Sequence, residues 1–154
     1  MNIIKENKLT IISKTFAPFV IGSPILLNNM ISYYKGKVAA ISGWSADAQI
    51  DDKFKPACET SYLKMPFNFI QKIFDKYIFH LVPIIEIFIL INLKRNRPSV
   101  VLLVFNPNPE FLIAGYRACK KLNIPYLIHV HDLWEENVAD EKKQFAKKWE
   151  KIIL

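Results

Sequence analysis

Glycine is scarce in this chain, which has only Gly22, Gly36, Gly43 and Gly115. Glycines so scattered cannot build a G-x-G-x-x-G dinucleotide loop or a G-x-x-x-x-G-K-[ST] phosphate cradle, so both are excluded. Cysteine is scarcer still. Cys58 and Cys119 stand 61 residues apart, with no CxxC and no Cys/His cluster. A disulfide scaffold and a structural zinc site are thereby excluded, and two buried thiols in a reducing compartment are expected. No metal is implied. GxSxG and HExxH are missing, and so are the RNP-like aromatic pattern, the KH loop and the zinc finger that would point to nucleic acid. Met1 to Lys8 is polar and charged, and neither an apolar run nor a small-residue cleavage site follows it, so no signal peptide is expected.

The residues that are present describe a globular chain. Of 154 residues, 51% are hydrophobic and 23% charged, a balance that excludes disorder. The length suits one domain, whose core can bury roughly two-thirds of the unfolded surface. Lys and Arg number 21 against 14 Asp and Glu, and the net charge of +7 favours anionic partners such as phosphate, nucleotide or acidic lipid.

Strand and helix patterns alternate along the chain. Leu9 to Ser13, Lys37 to Ser42, Thr60 to Met65 and Tyr126 to Val130 read as strands. Val100 to Val104 is unbroken, β-branched and apolar, the signature of a parallel strand covered on both faces. Helices are predicted over Ile25 to Tyr34, with Ser23 as cap and Pro24 as first helical residue, over Phe67 to Leu93, over Pro109 to Leu122, and from about Asp132 to Leu154. The fold class is therefore α/β, a Rossmann-like, mostly parallel sheet with helices on both faces, over residues 1–154 as one domain.

Ligands of such sheets bind beyond the carboxyl ends of the strands, which selects four loops. The loop Lys14 to Ser23 leads from a strand into a helix. Gly22 there leaves the backbone bare, and the helix start attracts an anion; an ordinary capped loop would carry the same residues. The second loop begins at Gly43. In the third, Phe105 to Glu110, two prolines stiffen the chain and Asn106 and Asn108 offer hydrogen bonds; simple turn chemistry would also use them. In the fourth, His129 to Glu135, His129 and His131 share one strand face. His131 and Asp132 stand at its carboxyl end, where an imidazole can orient a hydroxyl and a carboxylate can hold one. Asp132 is alternatively a cap for the next helix, and His129 reads as a core histidine.

The Phe67 to Leu93 segment is apolar, but His80, Pro83 and Glu86 interrupt it, so a sheet-covering or membrane-surface helix is expected rather than a span. Between Lys64 and Arg97 there are six bases against two acids, which holds more than half of the charge excess beside apolar surface and suits an anionic membrane face.

Several of these pieces fall in a familiar order. Phe16-Ala17-Pro18 with Gly22 follows the first strand; then come Val100 to Val104, Asn106-Pro107-Asn108-Pro109, a helix carrying Ala114 and Ala118, and Leu122-Asn123-Ile124-Pro125 leading to His131-Asp132-Leu133-Trp134-Glu135. This order resembles the N-terminal domain of GT-B fold glycosyltransferases of the retaining family 4. The Asp-Leu-Trp-Glu run resembles a branch acting on lipid-linked saccharides of cell-surface polysaccharides. The resemblance implies a nucleotide-sugar donor, a saccharide or lipid-linked acceptor, no metal or other cofactor, and a cytoplasmic place at the inner membrane face. It implies His131 and Asp132 as catalytic residues, and Pro18, Gly22, Ser23, Asn106 and Glu110 as substrate-binding ones. Ser23 stands where the family often has a second glycine. The family's basic pair and two-glutamate motif belong to a C-terminal donor domain that this sequence does not contain, so the chain alone is expected to be inactive.

Overall fold

The computed structural model describes residues 8–20, 22–34, 36–43, 50, 51, 53–64, 78–105 and 110–130, with Lys147 and Lys151. Its five strands are β1 (Lys8–Ser13), β2 (Lys37–Gly43), β3 (Glu59–Leu63), β4 (Val100–Phe105) and β5 (Tyr126–Val130). They form one sheet of order β3-β2-β1-β4-β5, and every neighbouring pair is parallel. Three helices are described: α1 (Gly22–Ser32), α2 (Ile78–Asn96) and α3 (Glu110–Leu122). The α/β, Rossmann-like fold expected from the sequence is the fold observed. Of the helix expected from about Asp132 to Leu154, Lys147 and Lys151 are described and helical, and the rest lies outside the described residues.

The pleat divides the core in two. In β4, Val101, Leu103 and Phe105 meet the cluster built with α2 and α3, while Leu102 and Val104 face the cluster built with α1. β4 lies inside the sheet between β1 and β5, so its unbroken apolar sequence reflects burial on both faces. β1 does the same with Ile12 on one side and Ile11 on the other. Gly115 of α3 lets that helix approach the sheet, because a Cβ there would stand 2.7 Å from Leu103 Cδ2 and 3.3 Å from Ile12 Cδ1.

α2 lays Val82, Ile85, Ile89 and Leu93 on the sheet at helical spacing. Its buried acid, Glu86, turns to α3, with its carboxylate 2.6 Å from Lys121 Nζ and 4.0 Å from Arg117 Nη1. The charge that interrupts the apolar run in the sequence is thus the polar tie between two packed helices. Among the described residues no helix is long and apolar enough to cross a membrane. Helix ends follow local chemistry. Asn123 takes φ 53° after α3, and Ile124 N–H donates to Cys119 O at 3.0 Å, which closes a Schellman turn. Arg97 takes φ 47° after α2, ahead of Pro98. α1 begins at Gly22 and ends at Ser32, so Ser23 falls inside the first turn rather than at the cap; Tyr33 and Tyr34 close the far end through i→i+3 bonds of 3.3 and 2.9 Å.

Both cysteines are free; Cys119 is buried and Cys58 half-buried. Burial pushes the Cys119 thiol up from 9.0 to about 12 and is the main cause that pushes Cys58 up to about 11. The folded protein therefore keeps these protons in a range where the unfolded chain releases them, so their contribution to stability is lost as pH rises above 9.0. Iodoacetamide at pH 8 is expected to label Cys119 only after denaturation; rapid labelling of that residue in the native protein, followed by mass spectrometry, contradicts this packing.

Candidate functional site

The strand order reverses at β1, which has β2 on one side and β4 on the other. Chains leaving such a pair diverge to opposite faces of the sheet, and the gap between them is where ligands of this architecture bind. The residues at that edge are Ser13 and Lys14 of β1 and its loop, Gly43 of β2, Phe105 of β4 and Glu110 at the start of α3.

Lys14 is tied at both ends. Its carbonyl accepts Gly43 N–H at 3.0 Å and Ser42 Oγ–H at 3.2 Å, which fastens the end of β2 to the loop after β1. Its ammonium lies 2.9 Å from Glu110 Oε1. Glu110 is buried in the first turn of α3, where a carboxylate also meets the positive helix end. Glu110 Oε2 is buried and has no hydrogen-bond partner among the described residues. Gly43 is required by this closeness: a Cβ there would stand 2.9 Å from Lys14 O and 3.1 Å from the Phe111 ring.

The loop beyond Lys14 is held from three directions. Phe16, Ala17 and Phe19 are fully buried. The Ala17–Pro18 peptide is cis, and the Tyr62 hydroxyl of β3 donates to Ala17 O. Asp51 N–H donates to Pro18 O at 3.3 Å, and Phe19 bridges Ile50. Partial burial raises the Tyr62 phenol, which keeps it a proton donor.

Of the residues expected at the site, Pro18 is half-buried in this loop and Gly22 is exposed at the head of α1. Among the described residues a Cβ on Gly22 would meet nothing within 4 Å, and no glycine has positive φ. Gly22 is therefore not demanded by packing or by backbone conformation; its effect is to leave open space in front of the helix. Ser23 occupies the same first turn. Glu110 is brought to Lys14, and their partnership was not evident from the sequence. Asn106, His131 and Asp132 lie outside the described residues. His129, expected in the core, is half-buried; β5 is the outermost of the described strands on its side of the sheet. Lys14 and Gly43 open two of the loops that the sequence selects, but no role is read from the sequence for either residue, and Tyr62 gives no signal there.

Chemically, the edge presents a held ammonium, an acceptor oxygen and the open amino end of an 11-residue helix, a set suited to a ligand with anionic and hydroxyl groups. Among the described residues no group of three His, Cys, Asp or Glu could hold a metal ion. No family model matches the chain, and neither do any curated protein or solved structure.

Removing one partner of a buried pair strands the other. Lys14→Met is expected to cost about 3 kcal/mol of stability, and Lys14→Met/Glu110→Leu to recover most of it. Equal melting of both variants in denaturant would show that the pair contributes nothing.

Proposed function

We propose that this chain is the acceptor-side domain of a retaining GT-B glycosyltransferase, which moves a sugar from a nucleotide-sugar to a saccharide or lipid-linked acceptor. The observation that carries the reading is the reversal of strand order at β1. The loops on which the family resemblance rests leave β1 and β4 on either side of that reversal, and the chain runs on from the same edge of β5 towards His131 and Asp132. In this reading His131 contacts the sugar near the reacting centre, Asp132 orients it, Gly22 and Ser23 line the phosphate side, and Pro18, Asn106 and Glu110 line the acceptor. A donor domain supplies the charges that stabilise the leaving diphosphate.

Two outcomes test it. The purified 154-residue chain is expected to transfer no sugar from any nucleotide-sugar, since half of the cleft's electrostatics is missing. In an enzyme that joins this chain to its donor domain, His131→Ala is expected to lower kcat/KM about 100-fold with little change in Tm. Turnover by the chain alone, or an unchanged kcat/KM, overturns the assignment. The competing reading is a non-catalytic module for a phosphorylated ligand, and the open amino end of α1 favours it. Under that reading the joined protein would bind phosphate esters without transfer.

The lipid-linked acceptor places the outer face of α2 at a membrane. Ile84, Ile87 and Ile91 are each more than half exposed on that face, and Lys94 follows them in the last turn. Glu86 is withdrawn to α3, which leaves the face without an acid among its described residues. Binding to anionic vesicles is expected to weaken as salt rises, because each basic residue adds about 1 kcal/mol and is screened. Equal co-sedimentation with neutral vesicles contradicts the electrostatic part.

A further inference from the structure

The opposite edge of the sheet carries a cavity that the proposed function does not use. It measures about 380 Å³ and lies at the amino ends of β1, β2 and β3, under the last turn of α2. Its floor is explained by register. Thr10 of β1 pairs with Ala39 of β2, and Ala39 with Glu59 of β3. These positions share the face of Ile12, Ile41 and Leu63, the face that α2 covers. Where Ile12 and Ile41 fill the space below α2, the shorter Thr10 and Ala39 leave it open.

The rim is charged. Lys8 pairs with Lys37 one step further along the same face, and Arg95 comes down from α2. Glu59, the Asn96 amide and the apolar Leu9 and Val38 complete the lining. Neither Lys8 nor Arg95 makes an ion pair among the described residues, and Glu59 is the one acid among the described residues that line the cavity. Apolar ligands would leave these charges unpaired on entry, and a bare inorganic ion would leave most of the volume empty. A phosphate ester with a hydroxylated body fits both: guanidinium and ammonium groups take the phosphate, and Glu59 and Asn96 meet hydroxyls.

We propose that this amino-edge cavity is a second ligand site, which binds a phosphomonoester of a small polyol or sugar. It does not rest on the glycosyltransferase reading, since it lies at the other end of the strands from the crevice between β1 and β4. Arg95 could serve only to complement the negative end of α2, and the experiment separates the two roles.

The ¹⁵N-labelled full chain is titrated with glucose 6-phosphate and, separately, with glucose. The expected result is saturable shifts of the amides of Lys8 to Thr10, Lys37 to Ala39 and Asn96 with the phosphate ester alone. Affinity should drop about tenfold or more in Lys8→Gln and in Arg95→Gln, each of which removes one charged hydrogen bond. Melting curves of both variants check that the fold is kept. A second arm uses phosphatidic acid in neutral vesicles, which presents the same phosphomonoester on a bilayer. Shifts with the soluble ester only assign a free metabolite, and shifts with the vesicles only assign a lipid head group. Unmoved amides in both arms, equal shifts with glucose, or affinities unchanged by both substitutions overturn the site. Shifts confined to Ser13, Gly43 and Phe105 would place the ester in the carboxyl-edge crevice and overturn it as well.

Discussion

The arrangement of the carboxyl edge depends on Lys14 being held at both ends. Its carbonyl gathers the end of β2 through Gly43 and Ser42, and its ammonium reaches the first turn of α3 through Glu110. Three elements that are distant in sequence are fixed to one residue at the point where the strand order reverses. The carbonyl tie adds only about 1 kcal/mol net for each neutral hydrogen bond, and the ion pair, costly to break from one side, adds little net once the desolvation of both charges is set against it. Their value is geometric. The loop after β1 can leave the sheet in one direction only, and the buried Phe16, Ala17 and Phe19 carry that direction on to the head of α1.

A constraint of this kind explains which glycines matter. Gly43 is pressed between a backbone carbonyl and an aromatic ring, so its lack of a side chain is a condition of the tie. Gly22 is pressed by nothing among the described residues. In the sequence Gly43 only ends a strand, and Gly22 is the one that attracts notice because it precedes a helix. The packing reverses that ranking for structure while leaving the open ground at α1 to a ligand.

The fold was legible because its strands are buried. Val100 to Val104 announces itself by continuous apolar character, which an interior parallel strand demands. The site was legible only by position. Asp, Glu, Lys and Asn at loop starts have the same local uses whether or not a ligand is present, so their pairing across 96 residues, Lys14 with Glu110, leaves no trace in either local pattern. His129 shows the same limit from the other side. Its alternation with His131 correctly sets it on a strand, but burial depends on the number of neighbours that strand has, and β5 has one described neighbour.

The two edges of the sheet divide the polar chemistry unequally. At the carboxyl edge the cation is neutralised by a buried acid, which fixes its place at the cost of its charge. At the amino edge Lys8 and Arg95, which make no ion pair among the described residues, line a cavity whose described lining holds one acid, so charge is left for a partner. A net charge of +7 read from composition cannot make this distinction. The sheet makes it, because parallel register brings the strand-initial lysines Lys8 and Lys37 side by side, whereas the divergent loops of the other edge bring a lysine and a glutamate together. Anion affinity in this protein is therefore set by the topology that selects which charges become neighbours, and only secondarily by how many bases the chain carries.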